Sequence, residues 1–172
     1  MNAISLWEPW ASLVRTGAKT WETRSWETKY RGPLLICAAK KPLNLERSRL
    51  LCSEMFQRGL SPLGGWALDL KSHRWWYGIT RAQLSFGMAV AIVDLTDCVP
   101  TSGMSYDDIG TDQPFGDFSP GRFAWKLEKL IPVDPFPVRG RQKLFEVSGL
   151  DIYRKGFRAR VLERWKPEYL KT

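Results

Sequence analysis

Residues 88–95, Met-Ala-Val-Ala-Ile-Val-Asp-Leu, form a nearly unbroken apolar run of strand length. Such a run is typical of a central strand, so the chain must build a sheet around it. Further strands are expected over residues 3–7, 19–24, 34–38, 123–130 and 143–147. A short helix should begin at Pro9, where a missing N–H costs nothing, and stop at Gly17. A second, amphipathic helix is expected over 43–56, on the spacing of Leu43, Leu50, Leu51, Met55 and Phe56, with Gly59 as its stop. Residues 60–86 and 100–121 read as long loops. The sum is an α+β chain of many strands and short helices.

At 172 residues the chain is most simply one domain with a full hydrophobic core. No uncharged apolar run reaches membrane-spanning length, and the N-terminus lacks the basic and apolar regions of a signal peptide. A soluble, cytoplasmic protein with no membrane partner is expected. Cys37, Cys52 and Cys98 are too few and too scattered for a disulfide framework or a cysteine-rich zinc site, and Cys37 and Cys98 read as buried small hydrophobes. His73 is the one histidine, so a Ser-His-Asp triad would have to recruit it from a polar loop.

Charge is uneven. Residues 1–58 carry ten Lys/Arg against five Asp/Glu, residues 59–135 six against nine, and residues 136–172 ten against four. Two basic ends around an acidic middle, at a net +8, favour a polyanionic partner. A generic basic surface that aids solubility is the alternative. Nine tryptophans add stacking surfaces for bases.

Residues 17–24, Gly-Ala-Lys-Thr-Trp-Glu-Thr-Arg, put two cations around a carboxylate in one β-prone segment. Strand side chains alternate faces, so Thr20, Glu22 and Arg24 share one face while Trp21 and Thr23 share the other. Lys19, two residues after Gly17, can lean in from the strand's mouth. This cluster beside Trp7 and Trp10 suits an anionic, flat-ringed ligand. The plainer alternative is a surface strand with solvated charges.

The spacing Gly17-x-Lys19-x-x-Glu22-x-Arg24 resembles the signature of the ASCH domain, a branch of the PUA-like superfamily. The flanks agree. Residues 5–13 are similar to the family's opening strand and helix. Arg24-Ser25-Trp26, Tyr30-Arg31-Gly32 and residues 38–42 are similar to its second and third strands. Residues 115–125 and 137–142 resemble later blocks of bacterial members. The resemblance covers residues 3–147. It implies a PUA-like small mixed β-barrel flanked by short helices and an ASCH domain over 1–148. Residues 149–172 lie outside the family core. Arginines interleaved with apolar residues over 157–165 make them read as a basic C-terminal helical extension that either docks on the barrel or grips a phosphate backbone. A barrel of this kind is filled by side chains, so ligands must sit in surface clefts.

The resemblance also implies a range of activities. Some bacterial members remove the acetyl group from N4-acetylcytidine, using a lysine that Lys19 matches and a threonine nucleophile whose position here holds Glu22. Others look like metal-dependent ribonucleases, and animal relatives bind nucleic acid. For this chain Lys19 and Glu22 are the candidate catalytic pair. Trp7, Trp10, Arg24, Trp26, Lys40, Asp117 and Arg122 are the candidate ligand contacts. Flanking cations favour an ionised Glu22 that reads the exocyclic amine of a base rather than a strong general base.

Residues 115–122 add Asp117 and the guanidinium fork of Arg122, with ordinary turn chemistry at Ser119-Pro120-Gly121 as the alternative. The sequence fixes no cofactor; Mg²⁺ or Mn²⁺ would serve a ribonuclease. Asp107, Asp108, Asp112 and Asp117 form an acidic group that solvation explains as well as a metal. The expected partner is RNA, DNA or a nucleotide or modified nucleoside.

Overall fold

Consecutive residues of the strand Gly32–Ala38 belong to different packing clusters, and this alternation organises the molecule. Leu34, Ile36 and Ala38 join one buried cluster, while Leu35 and Cys37 join a second. A strand buried on both faces reads as a continuous apolar run, which is why residues 34–38 and 88–95 look alike in sequence. The computed structural model describes residues 1–69 and 74–148.

The strands are β1 (Asn2–Leu6), β2 (Trp21–Arg24), β3 (Gly32–Ala38), β4 (Gly65–Asp69), β5 (Arg74–Gly78), β6 (Met88–Pro100), β7 (Phe123–Pro137) and β8 (Leu144–Glu146). Six of them form a curled half-barrel in the order β2-β7-β6-β3-β1-β8. The pair β1–β3 is parallel, with Ile4 opposite Ile36, and the remaining pairs of this sheet are antiparallel. Breaks of register along β6–β7 mark bulges, which bend a sheet. The expected α+β barrel with flanking helices is therefore present, with β2 and β8 as its two edges.

Described helices are α1 (Trp10–Thr16), α2 (Leu45–Leu51), α3 (Glu54–Leu60) and α4 (Tyr106–Ile109). The first three form a third cluster around Leu13, Leu51, Phe56 and Leu60, which Phe115 joins from the 110–115 turn. Gly17 ends α1 in the left-handed region at φ 81°, donating to the Val14 carbonyl as the sequence anticipates.

Four expectations need correction. The helix expected over 43–56 is two helices broken at Cys52-Ser53, and Gly59 lies inside α3 rather than stopping it. A Cβ at Gly59 would stand 2.7 Å from a Leu13 methyl, so glycine is what lets α3 approach α1. The loop expected over 60–86 contains the β4–β5 hairpin, with Gly65 opposite Gly78. The loop over 100–121 contains α4 and short 3-10 turns.

Finally, β6 and β7 run beyond their expected ends, to Pro100 and Pro137. Strand β2 pairs only with the first four residues of β7. Pro132, Pro135 and Pro137 therefore lie where β7 has one free edge, and a missing N–H is tolerated there. Cys37 and Cys98 are buried free thiols as expected, with burial pushing Cys37 up to about 12. His73 and the extension 149–172 lie outside the described residues.

Candidate functional site

The turn after α1 sets the site. The backbone N–H of Lys19 donates to the Leu13 carbonyl, folding residues 17–19 back under the helix just before β2 begins. The Lys19 side chain is thereby buried, 2 % exposed. Its Nζ donates to the Phe115 carbonyl at 2.7 Å and lies 3.4 Å from Glu22 Oε2. Burial lowers the Lys19 pKa, opposed by the negative charges of Glu22 and Asp112.

Arg24 completes the row. Its Nε stands 3.0 Å from Glu22 Oε1, without the alignment of a hydrogen bond, and its Nη2 donates to the Ser5 carbonyl. The expected charge cluster is thus a continuous Lys19–Glu22–Arg24 chain. The strand itself starts only at Trp21, so Lys19 and Thr20 precede it.

Across the cleft, Asp117 N–H donates to Thr23 Oγ1 and Arg122 Nη2 to the Thr23 carbonyl. Arg122 Nη1 pairs with Asp117 Oδ2 at 3.4 Å, while Asp117 Oδ1 accepts from Ser119 N–H and Oγ. The Ser119 bonds hold Asp117 below its ordinary pKa. Asp117 therefore performs the turn chemistry and borders the cleft at once. Gly116 accommodates the Phe118 ring, which a Cβ would meet at 2.7 Å.

These groups line one cleft of about 400 Å³, with Trp7, Trp10, Lys19, Glu22, Arg24, Asp117 and Arg122 all on its wall. Trp7 is 49 % exposed, and Lys41 Nζ and the Arg47 guanidinium lie within 4.7 Å of its ring centre. Trp10 packs edge-on against Phe56. Trp26 and Lys40 do not reach this cleft. They line a second, adjoining groove together with Trp7 and Arg24, and Trp26 packs edge-on against buried Trp125.

Three contributors escaped the sequence reading. Asp112, 1 % exposed, accepts from Thr20 N–H, Thr20 Oγ1 and Trp21 N–H, joining the 110–115 turn to the start of β2. Glu8, fully buried, accepts from Ser12 N–H, Ser12 Oγ and Ser85 N–H. Arg47, 3 % exposed, braces Trp7 from α2. Nothing local in the sequence separates Asp112 from its acidic neighbours, since its partners are about ninety residues away.

The acidic group does not fit a metal. Both Asp112 oxygens are spent on Thr20 and Trp21, Asp108 caps α4 through Ser105, and Asp117 serves Ser119 and Arg122. Among the described residues no group of three or more His, Cys, Asp or Glu side chains is placed to hold an ion. Nor does any described helix have the length and apolarity to cross a membrane.

An α+β half-barrel with a cation–carboxylate–cation row at the foot of its first helix defines a small α+β domain with a charged surface cleft. A model of the ASCH domain matches residues 4–137, and the chain belongs to that family. It is 31 % identical to activating signal cointegrator 1 of Homo sapiens and 44 % identical to that of Mus musculus, each over 148 residues and 84 % of this chain. The chain spans about a fifth of the length of these curated relatives, 22 %. A crystal structure of a mutant ASCH protein from Zymomonas mobilis aligns over 89 % of this chain and 94 % of its own, at 12 % identity and a TM-score of 0.44.

Proposed function

We propose that residues 1–148 are a nucleic-acid-binding ASCH domain that seats one base in the smaller cleft. The observation that carries this reading is the convergence of Lys19, Glu22, Arg24 and Arg122 with exposed Trp7 on a single wall. Trp7 supplies a stacking face, and Glu22, held by two cations, supplies acceptors for an exocyclic amine. Arg24 and Arg122 stand half-buried on the same wall, and a guanidinium fork there suits phosphate or a base carbonyl. Lys19 already serves Phe115 and Glu22, so its role is to hold Glu22 rather than to meet phosphate.

Binding of labelled single strands should weaken as salt rises, and Arg24→Gln should shrink the slope by about 0.7. Glu22→Ala should erase any preference among bases. A slope and a preference that survive both changes would reject the reading.

One observation favours a second reading, deacylation of an N4-acylated cytosine nucleoside. Burial lowers the Lys19 pKa beside a carboxylate, and a desolvated lysine paired in this way recurs among catalytic groups. Incubation with N4-acetylcytidine checks it, and no release of cytidine at high protein concentration removes it. The same preparation should be assayed for strand cleavage against Glu22→Ala; equal cleavage by both would place that activity elsewhere.

A further inference from the structure

The larger groove is continuous with the smaller cleft, because Ser5, Trp7 and Arg24 line both. Its volume is about 1190 Å³, above the range of roughly 300–1,000 Å³ usual for a small-molecule site. Lys40, Arg139, Arg141 and Lys143 line it, and no carboxylate does. All four are exposed, and none has a carboxylate partner among the described residues. Four adjacent, unneutralised cations repel one another, a cost that an anionic ligand lifts.

The segment carrying three of them is anchored to the sheet. Val138 N–H donates to the Gly87 carbonyl, and Gly87 N–H donates to the Ala38 carbonyl. Gly140 lies so close to β1 that a Cβ there would stand 2.5 Å from Ser5 Oγ. Lys143 takes the left-handed region at φ 59° as the chain turns into β8. Arg139 and Arg141 therefore flank a fixed contact on β1, which keeps both at the groove. Ser5 Oγ, at the junction of the two cavities, is itself buried without a hydrogen-bond partner.

We infer that this groove carries the sugar-phosphate backbone flanking the base held in the smaller cleft, so that the ligand is a single-stranded nucleic acid of several residues rather than a free nucleoside. The inference rests on the proposed base cleft. A free nucleoside would leave the four cations unused. A base read at its pairing edge must be unpaired, which favours a single strand over a duplex.

The test uses the full chain, with cytidine monophosphate, single strands of two, four and eight residues in RNA and DNA form, and an eight-pair duplex. Affinity should rise with strand length and then level off, and single strands should bind more tightly than the duplex. Arg139→Gln/Arg141→Gln should lose the gain with length and lower the salt slope by about 1.4, at about 0.7 per cation, while monophosphate binding stays at the wild-type level. Arg58→Gln/Lys129→Gln removes the same charge from α3 and β7, away from both cavities, and should keep the wild-type slope.

Several results would overturn the inference. They are an octamer no tighter than the monophosphate, a wild-type slope in the groove variant, an equal loss in the control variant, or tighter binding of duplex. In each of these the base cleft stands if Glu22→Ala still alters monophosphate binding. If the monophosphate does not bind and Glu22→Ala leaves strand binding untouched, the base cleft fails and this inference falls with it.

Discussion

Glu8 shows how one buried carboxylate holds the entrance to α1. It accepts three hydrogen bonds, two from Ser12 and one from Ser85, and so ties the helix start to the segment before β6. Burial raises its pKa above the ordinary 4.5, against the hydrogen bonds from Ser12 and Ser85 that favour the anion. Between 4.5 and that raised value the folded protein binds more protons than the unfolded chain. This group's contribution to stability is therefore complete below 4.5 and is lost as pH rises through the folded pKa. Glu8→Gln cannot titrate and turns an amide N–H₂ toward a backbone or hydroxyl donor. It should cost about 1–3 kcal/mol, the penalty of an unpaired buried donor. The deficit should be largest near pH 4 and narrow toward pH 7. Urea midpoints of both proteins across that range check it, and a deficit that widens with pH would contradict the sign.

At the scale of elements, the 110–122 segment matters as much as β2, because it brings the Phe115 carbonyl to Lys19 and Asp117 and Arg122 to Thr23. Asp112 is what fastens it to β2. Asp112→Ala would strip Thr20 N–H and Trp21 N–H of their acceptor, with an expected loss of about 1–3 kcal/mol. Ligand affinity should fall too, although Asp112 does not line the cleft. Denaturation and binding measured together would show this, and a destabilised variant with wild-type affinity would separate Asp112 from the site.

Such dependence explains what the sequence made legible. The Lys19–Glu22–Arg24 row could be read because its members stand two and three residues apart. Strand alternation brings Glu22 to Arg24, and the turn after Gly17 brings Lys19, just ahead of the strand, to Glu22. Asp112, Glu8–Ser85 and the Gly140–Ser5 contact join segments about 77 to 135 residues apart, and no local pattern marks them. The 43–56 helix failed for a related reason, since one apolar stripe continues across the break at Cys52-Ser53. The 65–78 hairpin was missed because a stretch rich in Gly, Trp and polar residues lacks a clear two-residue alternation, even though Gly65 and Gly78 bracket it.

Across the whole molecule, the sheet order puts β1 between β3 and β8, with both cavities at its C-terminal end, where Ser5 and Trp7 stand. Strand β8 is short, yet it closes the second cluster through Phe145 and seats its neighbour Val147, whose N–H donates to the Met1 carbonyl. The basic segment lining the larger groove hangs between β7 and β8, so the last strand both completes the core and holds that segment against β1. Phe145→Ala should therefore act on two levels. Removing a ring that is 7 % exposed should cost about 3–5 kcal/mol, a large share of the 5–15 kcal/mol typical of a domain. At temperatures where the variant remains folded, strand affinity should drop more than monophosphate affinity, because the larger groove loses its anchor while the Lys19–Glu22–Arg24 row, built on α1, β2 and the 110–122 segment, keeps its own. Calorimetric unfolding paired with binding to both ligands measures the two effects. An equal fall in both affinities would mean that the cavities share one support, and that β1 rather than β8 carries it.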